Sequence, residues 1–514
     1  MPTIKINNLE IKAPLTQTLW EAARDAGIHI PVMCYHPEAG HFASCMVCMV
    51  KDAKTGALIP SCDTHVREGL EVITEDAEIL EARTTALELL LSEHTGDCEA
   101  PCRIACPAYM DIPHMNRHIA NGNPFKAMGV VMEHIPLPSV LGLICPAPCE
   151  GACHRKGVDE AVAICHLKRF AGNQGDFTPP KPASPTGKRV AIVGAGPAGL
   201  SAGYYLQLMG IECHIFDSNP EAGGALRYSI ADAQLPRDVL NREVQRILST
   251  GIKFIGSTNI NAQSFLGLAK SFDAVVIACG NFTPSMASWG IDNDGKQIKI
   301  NKNTYLTSNP KVFAAGNSTR SMKLAVRSVG QGHSCATSVE QFLKGAEVTG
   351  EHRSFNSRIG KLLPEEHGQY LQGVSGAKRV KMESEAEGYS HEQAKQEAQR
   401  CMHCECLKPR SCTLRRLADE YGASRTRFSL ESRKPLKKNL QHQHVAFEPG
   451  KCIKCGICVR LTAKHQEVLG LTFIGRGFDV EIGVPLGAEL SQGLAIVAEL
   501  AVEACPTGAL SKKM

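Results

Sequence analysis

The chain of 514 residues is 43% hydrophobic and 21% charged, with a formal net charge of +4. This composition excludes a disordered tail protein and a collagen-like fibre, and the charge is too mild for a dedicated nucleic-acid binder. At roughly 150 residues per domain, the length predicts three or four domains. Cysteine is the outlier, because 22 cysteines stand against two tryptophans and nine tyrosines.

The cysteines are concentrated towards the two ends of the chain. Nineteen of them fall within 34–62, 98–165, 401–412 and 452–505, and the remainder are Cys213, Cys279 and Cys335. Residues 1–6 alternate like a strand and lack the apolar core of a signal peptide, and no run of about 18 apolar residues occurs. We therefore expect a cytoplasmic protein without a transmembrane segment, whose clustered thiols stay reduced and bind metal. The three central cysteines are expected to be buried packing residues.

Residues 1–80 predict a small mixed domain with strand-like segments around a helical stretch at 19–26. Its four cysteines are Cys34, Cys45, Cys48 and Cys62. Two cysteines with two residues between them, Cys45 and Cys48, can ligate one side of a small cluster, while two thiolates from more distant positions ligate the other side. The spacing resembles the ferredoxin domain of the large iron–sulfur subunit of respiratory complex I and of iron-only hydrogenases. That resemblance implies a β-grasp fold and a [2Fe–2S] cluster, with a zinc site as the alternative.

Residues 81–180 predict a helical domain with two further sets of cysteines, each with three-residue gaps: Cys98, Cys102 and Cys106, then Cys145, Cys149 and Cys153. With their Cys-Pro pairs, these segments resemble the N-terminal domain of glutamate synthase small subunits and of dihydropyrimidine dehydrogenase. In that family two [4Fe–4S] clusters take ligands from both segments in a crossed pattern. The resemblance implies one cluster on Cys98, Cys102 and Cys153 and another on Cys106, Cys145 and Cys149.

The fourth ligand of each cluster departs from the family pattern. The family's leading Cys-x-x-Cys pair is replaced by His94 and Cys98. His94 is a candidate ligand, because a histidine ligates iron at a comparable place in the complex I subunit, and a packing or surface histidine is the alternative. Cys165 is the preferred fourth ligand of the second cluster.

A turn-rich linker at 181–187 precedes a Rossmann-like unit predicted over 188–345. An apolar strand at 189–193 leads into a glycine motif and a helix; the motif residues are Gly194, Gly196, Pro197, Ala198 and Gly199. These glycines let the backbone approach a pyrophosphate at the helix N-terminus. The next strand ends at Asp217, where a carboxylate binds the adenosine ribose.

Three later segments resemble the flavin-binding parts of the glutamate synthase small subunit. They are 221–228 with Gly224 and Arg227, the strand at 272–280, and 311–317 with Gly316 and Asn317. The resemblance implies that the cofactor is FAD, with Asn317 at a position where the family usually has aspartate.

The same family carries a second nucleotide-binding unit, the NAD(P)H domain, between the last two of these segments. Here about thirty residues separate Gly280 from Lys311, without a second glycine motif. A single βαβ unit needs about that length, so a whole nucleotide domain does not fit. We therefore expect FAD binding without a nicotinamide site.

Residues 346–446 predict a linker with a cysteine-rich metal site made of Cys401, Cys404, Cys406 and Cys412. A [4Fe–4S] cluster is the first interpretation, and tetrahedral zinc is the alternative, because short Cys-x-x-Cys pairs serve both.

Residues 447–514 predict a ferredoxin-like domain. Its cysteines, Cys452, Cys455, Cys458 and Cys505, resemble those of a bacterial two-cluster ferredoxin that has lost its second cluster. They predict one [4Fe–4S] cluster.

Together these patterns predict a multidomain α/β and α+β protein with one [2Fe–2S] cluster, three or four [4Fe–4S] clusters and FAD. No motif offers a nucleophile or an acid–base pair, so no catalytic residue is predicted. We expect an electron-transfer subunit of an oxidoreductase complex. Its expected partners are an NADH-oxidising flavoprotein, a hydrogenase, a formate dehydrogenase or a ferredoxin, and not nucleic acid. The alternatives are a stand-alone FAD-dependent reductase of a small molecule and a scaffold subunit with an empty flavin fold.

Overall fold

The computed structural model describes residues 1–175, 177–321, 324–428 and 433–513. The strands in these ranges are β1 (Thr3–Ile6), β2 (Leu9–Lys12), β3 (Met49–Asp52), β4 (Leu58–Pro60), β5 (Glu71–Ile73), β6 (Arg189–Val193), β7 (Glu212–Phe216), β8 (Lys253–Ile255), β9 (Ala274–Ile277), β10 (Val312–Ala314), β11 (Val445–Phe447), β12 (Thr472–Ile474), β13 (Glu481–Gly483) and β14 (Leu510–Lys512).

The helices in the same ranges are α1 (Leu19–Asp25), α2 (Ala77–Ser92), α3 (Pro101–Ala105), α4 (Ile112–Ala120), α5 (Pro124–Met132), α6 (Pro138–Ile144), α7 (Pro148–Gly151), α8 (Ile164–Gly172), α9 (Pro197–Leu208), α10 (Ala225–Tyr228), α11 (Arg237–Leu248), α12 (Ala262–Ser271), α13 (Ala325–Leu343), α14 (His367–Leu371), α15 (His391–Ala398), α16 (Thr413–Glu420), α17 (Ile457–Lys464), α18 (Leu490–Gly493) and α19 (Ala498–Ala504). Within the described ranges, no helix is both long and apolar enough to cross a bilayer.

The chain is a multidomain α/β protein that divides into two compact units, each built from separate stretches of sequence. Unit 1 comprises Met1–Glu99, Ser354–Gln372 and Cys404–Met514, and unit 2 comprises Ala100–Arg353 and Gly373–His403. The chain therefore enters each unit more than once. The five consecutive domains expected from the sequence remain a prediction.

Unit 1 begins with a five-stranded sheet in the order β2-β1-β5-β3-β4. Strands β1 and β5 are parallel, whereas the other neighbours are antiparallel. Helix α1 begins with a capping box, in which the Thr18 side chain accepts from the Glu21 N–H and the Glu21 carboxylate accepts from the Thr18 N–H. Apolar residues such as Ile4, Ile6 and Leu19 form one core with the cysteines at 34–62. The cysteine-bearing loop is thereby buried between the helix and the sheet.

The C-terminal part of unit 1 is held by two antiparallel strand pairs, β11 with β14 and β12 with β13. Their apolar side chains share a core with those of α18 and α19. Cys505 directly follows α19, so the pairing of β11 with β14 keeps the two ends of this segment together.

Unit 2 contains a parallel sheet in the order β10-β9-β6-β7-β8. Its central strand β6 is buried from Val190 to Val193, as expected for a parallel strand covered on both faces. Residues 278–311, all of them described, form a 3-10 helix at Pro284–Trp289 and isolated bridges but no strand. A second nucleotide-binding sheet is therefore absent from this stretch.

Candidate cofactor sites

A cavity of about 670 Å³ opens at the carboxyl ends of β6 and β9, the switch point at which doubly wound sheets bind their ligands. Eight of the ten residues predicted to bind the cofactor line it: Gly194, Gly196, Pro197, Ala198, Asp217, Gly224, Gly316 and Asn317. Of the other two, Gly199 packs α9 on the glycine turn, because a Cβ there would lie 1.9 Å from the Gly194 carbonyl oxygen.

Two glycines of the cavity wall have no room for a side chain. Gly194 has a φ of +109°, and a Cβ there would lie 2.4 Å from the Ala278 carbonyl oxygen. Gly224 has a φ of +51°, and its Cβ would lie 2.7 Å from the Gly196 Cα. Backbone alone therefore forms this part of the wall, which suits close approach to a pyrophosphate.

Asp217 joins the end of β7 to the glycine turn. One carboxylate oxygen accepts from the Ala195 N–H at 2.6 Å, and the other accepts from the Asn219 N–H at 2.8 Å and from Asn219 Nδ2 at 2.9 Å. A carboxylate offers about four acceptor sites. These three bonds fix Asp217 in the wall and leave acceptor capacity for a hydroxyl in the cavity.

Arg227 supports the cavity without lining it. Its Nε donates to the Ala222 carbonyl at 2.9 Å, Nη2 donates to Asn241 Oδ1 at 2.5 Å, and Nη1 lies 3.3 Å from the Glu221 carboxylate. These bonds hold the turn that presents Gly224. Arg227 is thus placed to position the wall.

One side of the cavity is formed by residues that were not predicted from the sequence. The loop after β8 and the 3-10 helix before β10 contribute Thr258, Asn259, Ile260, Thr283, Ser285, Met286 and Trp289. Trp289 stacks on Phe265, with ring centroids 4.6 Å apart and an interplanar angle of 11°. Cys279 also lines the cavity, whereas Cys213 and Cys335 are fully buried. No local motif marks these positions, although Trp289 is one of only two tryptophans in the chain.

The first set of thiols lies in the core of unit 1. Cys34, Cys45, Cys48 and Cys62 are buried there. The pKa of Cys34 is lowered because the Cys45 and Cys62 thiols donate to it, and the pKa of Cys48 is lowered to about 7, first because Cys62 donates to it. Thiolates are the metal-binding form. The pKa values of Cys45 and Cys62 are raised, first because each donates to Cys34. The four thiols are therefore buried together and linked by hydrogen bonds, two as donors and two as acceptors.

The second set lies in unit 2 around Lys168. The Lys168 ammonium is 3.8 Å from Cys165 Sγ and 3% exposed. Burial alone lowers its pKa, but four thiols outweigh that effect and raise it; they are Cys165, Cys145, Cys149 and Cys106. The structure thus brings these four predicted ligands to one ammonium group.

The third set lines a small pocket in unit 1 and consists of Cys452, Cys455, Cys458 and Cys505. Burial, and then the nearby Cys505 sulfur, raises the pKa of Cys452 to about 12. The Cys452 sulfur accepts from the Lys454 N–H at 3.3 Å. Within the described ranges, no three His, Cys, Asp or Glu side chains are grouped closely enough to hold a single metal ion. The fit to polynuclear clusters rests instead on these sets of four thiols, which are buried or half-buried.

The remaining predicted ligands are divided between the units. Cys98, Cys404, Cys406 and Cys412 belong to unit 1, whereas Cys102, Cys153 and Cys401 belong to unit 2. The nearby Cys401 contributes, after burial, to raising the pKa of Cys153. The assignment of these seven cysteines to clusters remains a prediction.

His94 lies buried in unit 1, and its Nδ1 has no hydrogen-bond partner within the described part of the chain. Burial lowers its pKa to about 3, so the neutral ring that could bind a metal is the form present at neutral pH. Its role as a ligand remains a prediction.

Three protein-family models match the chain. They describe a 2Fe-2S iron-sulfur cluster binding domain over residues 1–77, domain II of dihydropyrimidine dehydrogenase with a 4Fe-4S cluster over residues 83–177, and a pyridine nucleotide-disulphide oxidoreductase over residues 146–332. These matches confirm the resemblance on which the cluster and flavin assignments depend.

Similar proteins include the NADPH-Fe(3+) oxidoreductase subunit beta of Geobacter sulfurreducens, 41% identical over 188 residues, which are 35% of this chain and 28% of that protein. The NADP(+)-dependent formate dehydrogenase subunit beta of Moorella thermoacetica is 36% identical over 222 residues, 38% of this chain and 31% of that protein. The small chain of the NADPH glutamate synthase of Bacillus subtilis is 33% identical over 199 residues, 36% of this chain and 40% of that protein. The chain thus spans less than half the length of these relatives.

Proposed function

We propose that this chain is an iron–sulfur flavoprotein that carries electrons between redox subunits of an oxidoreductase complex. When bound, iron–sulfur clusters transfer single electrons, and FAD exchanges electrons in pairs or singly. The observation that carries the proposal is that, within each unit, sets of buried and half-buried predicted ligands adjoin one another or the cavity at β6 and β9.

In unit 1, the hydrophobic core around the first set of thiols also contains Cys455 of the third set, whereas Cys452, Cys458 and Cys505 pack against a second core. The pKa of Cys455 is raised first by burial and then by the nearby sulfurs, including Cys505 and Cys34. Arg460, on α17, donates to the Cys34 carbonyl at 3.4 Å. Continuous apolar packing of this kind excludes water between two cofactor sites.

In unit 2, the second set of thiols adjoins the cavity through one helix. The turn after Cys106 packs on α13, because a Cβ at Gly330 would lie 2.5 Å from the Pro107 carbonyl oxygen. The first turns of the same helix line the cavity with Ala325 and Ser328. This arrangement supports exchange of electrons between a cluster at Cys106 and a flavin.

The cavity fits a flavin dinucleotide in its chemistry. Its backbone-lined wall at Gly194 and Gly224 suits a pyrophosphate, and Asp217 has acceptor capacity for a ribose hydroxyl. The volume of about 670 Å³ lies in the ordinary range of cofactor pockets. These features favour a working flavin site over a scaffold with an empty fold.

The finer assignments belong to the same proposal. Unit 1 would hold a [2Fe–2S] cluster in a β-grasp domain at Cys34–Cys62 and a [4Fe–4S] cluster in a ferredoxin-like domain at Cys452–Cys505. Unit 2 would hold [4Fe–4S] clusters in its helical layer beside a Rossmann-like FAD domain. The chain's part is to hold thiolates, exclude water and place charged groups such as Lys168 beside them.

Partner subunits supply and accept the electrons, because residues 278–311 leave no second nucleotide-binding unit. The similar proteins named as beta subunits of an NADPH-Fe(3+) oxidoreductase and of a formate dehydrogenase support partners of that kind. A hydrogenase, an NADH-oxidising flavoprotein and a ferredoxin are further candidates.

The test uses the full chain purified without oxygen. We expect about one FAD per chain, as one dinucleotide-binding unit predicts, together with cluster absorbance that dithionite bleaches and that NADH or NADPH alone leaves unchanged. If the purified chain contained intact clusters but no flavin, the proposal that electrons pass through FAD would be wrong. Rapid bleaching by NADH or NADPH alone, or turnover of a small substrate by the isolated chain, would overturn the need for partner subunits.

A further inference from the structure

We infer that Cys98, Cys404, Cys406 and Cys412 form a four-thiolate iron–sulfur site in unit 1 that combines ligands from two distant parts of the sequence. This site replaces the assignment of Cys98 to a cluster with Cys102 and Cys153, and it replaces a self-contained metal site at 401–412. The inference rests on the proposed function only in taking iron–sulfur clusters as the cofactors.

Two direct contacts join the segments that carry these cysteines. The Cys406 N–H donates to the Cys98 carbonyl at 3.2 Å. Beside them, Arg415 Nη2 donates to the Glu99 carboxylate at 2.7 Å, which ties the residue after Cys98 to the helix that begins just after Cys412. Three short segments therefore converge on one place.

The sulfurs at this place are buried and held. Cys98 Sγ accepts from the Ser357 N–H and Cys412 Sγ accepts from the Arg415 N–H, each at 3.4 Å. Hydrogen bonds to sulfur favour the thiolate and tune a bound cluster. A Cβ at Gly508 would lie 2.3 Å from Cys406 Sγ, so the strand-end backbone packs directly on that sulfur.

Lys451 packs beside the same sulfur, because a Cβ at Gly508 would lie 2.3 Å from Cys406 Sγ and 3.7 Å from Lys451 Cδ. Lys451 is 3% exposed, and burial alone lowers its pKa, yet the pKa is raised because Cys406, Glu448 and Cys98 face it. The pKa of Cys412 is raised to about 12, first by burial and then by the nearby Cys406 and Cys98 sulfurs. A cation beside thiols favours the thiolates that bind metal.

Cys404 is the fourth cysteine that we assign to the site. Tyr370 is buried, and the charged groups that further raise its pKa begin with Cys404, followed by Glu448 and Asp97. Glu448 is the carboxylate that pairs with Lys451 at 2.8 Å, and Asp97 immediately precedes Cys98. We include Cys404 on its position in the chain, two residues before Cys406 in the same unit.

The fourth cysteine of the 401–412 segment takes no part in this set. Cys401 lies in unit 2, near Cys153, and its sulfur is 4.0 Å from His403 Nδ1. The segment is thus shared between two sites, and Cys401 supplies a matched control for Cys404, three residues away.

The experiment measures iron, sulfide and zinc per chain, with EPR of the reduced protein, in the full chain purified without oxygen. Cys98→Ala and Cys412→Ala should each remove the same EPR signal and about four iron atoms per chain, and the double variant should lose no more than either single variant. Cys153→Ala and Cys401→Ala should leave that signal intact and remove a different one.

Three outcomes would overturn the inference. Cys98→Ala and Cys153→Ala could abolish one common signal, as the family pattern predicts, or Cys412→Ala could remove zinc without iron. An alanine variant that fails to fold would lose every signal. In that case Gly508→Ala tests the site, because it should perturb only the signal of the cluster bound by Cys406. An unchanged spectrum in Gly508→Ala would then contradict the site. All these readouts are independent of electron transfer to partners, so the inference can fail while the proposed function stands.

Discussion

Two buried lysines, one in each unit, lie beside sets of thiols and differ in what offsets their charge. In unit 1, Lys451 is 2.8 Å from the Glu448 carboxylate and also faces Cys406. In unit 2, Lys168 contacts Cys165 Sγ at 3.8 Å, and among the described residues no carboxylate pairs with it. The charge of Lys451 is balanced by a carboxylate as well as by thiols, whereas the charge of Lys168 is balanced by thiols.

This difference separates a charge that an ion pair partly neutralises from a charge that acts in full on the thiols beside it. A buried cation with its own counter-ion contributes mainly through the cost of breaking the pair. A buried cation without a carboxylate acts on whatever negative charge the thiols and their cluster carry. The following predictions test this contrast, from the largest expected effect to the smallest.

Replacement of Lys451, which pairs with Glu448, should chiefly affect the stability of the fold. We expect Lys451→Met to lower the free energy of unfolding by about 3–5 kcal/mol, because Glu448 is left buried and unpaired. The double variant Lys451→Met/Glu448→Gln should recover most of the loss, as measured by the urea midpoint of the loaded chain. Equal midpoints for the single and double variants would show that the pair is not the relevant interaction.

The proposed flavin site in unit 2 depends on backbone rather than on charge. Gly194→Ala should weaken FAD binding at least a hundredfold, equal to about 2.7 kcal/mol, because its Cβ would meet the Ala278 carbonyl oxygen. Gly267→Ala, on α12 with nothing within 4 Å of the added carbon, is the matched control. Flavin fluorescence after dialysis measures both, and full flavin retention in Gly194→Ala would contradict the site.

A half-buried histidine of unit 2, His134, should make stability depend on pH. Burial, and then His333, lowers the pKa of His134 to about 3, below its value of about 6.5 in the unfolded chain. The unfolded state therefore binds more protons between these values, and stability falls as pH falls from about 6.5 towards 3. At pH 5 the loss should be roughly 2 kcal/mol. His134→Gln should flatten thermal midpoints over this window, whereas His29→Gln, at an exposed position, should not.

Replacement of Lys168, which has no carboxylate partner among the described residues, should chiefly affect the reduction potential of a cluster bound beside it. We expect Lys168→Met to lower the potential of the cluster at Cys106, Cys145, Cys149 and Cys165 by on the order of 60 mV, which is tenfold in a one-electron equilibrium. Lys156→Met, at an exposed position of the same unit, is the control. An EPR-monitored redox titration measures both, and a shift no larger than that of the control would remove the distinction between the two lysines.

The sequence by itself determined the kinds of site in this protein. Cys-x-x-Cys pairs, Cys-Pro pairs and the glycine motif before α9 work through neighbours only a few residues away, so their spacing carries their chemistry. For the same reason Asp217 could be placed at the end of β7, and the short stretch after Gly280 could be recognised as too small for a second nucleotide domain.

Only the tertiary structure decided which distant groups meet. Cys98 and Cys406 are about three hundred positions apart in the chain, and Lys451 lies beside them from a third segment. Such contacts between distant segments produce no periodicity or residue spacing in the sequence. The sequence also did not predict that Trp289 lines the cavity, or that Lys451 pairs with a carboxylate and Lys168 does not. Burial and charge compensation belong to the packed chain, because each depends on what the rest of the fold places around a side chain.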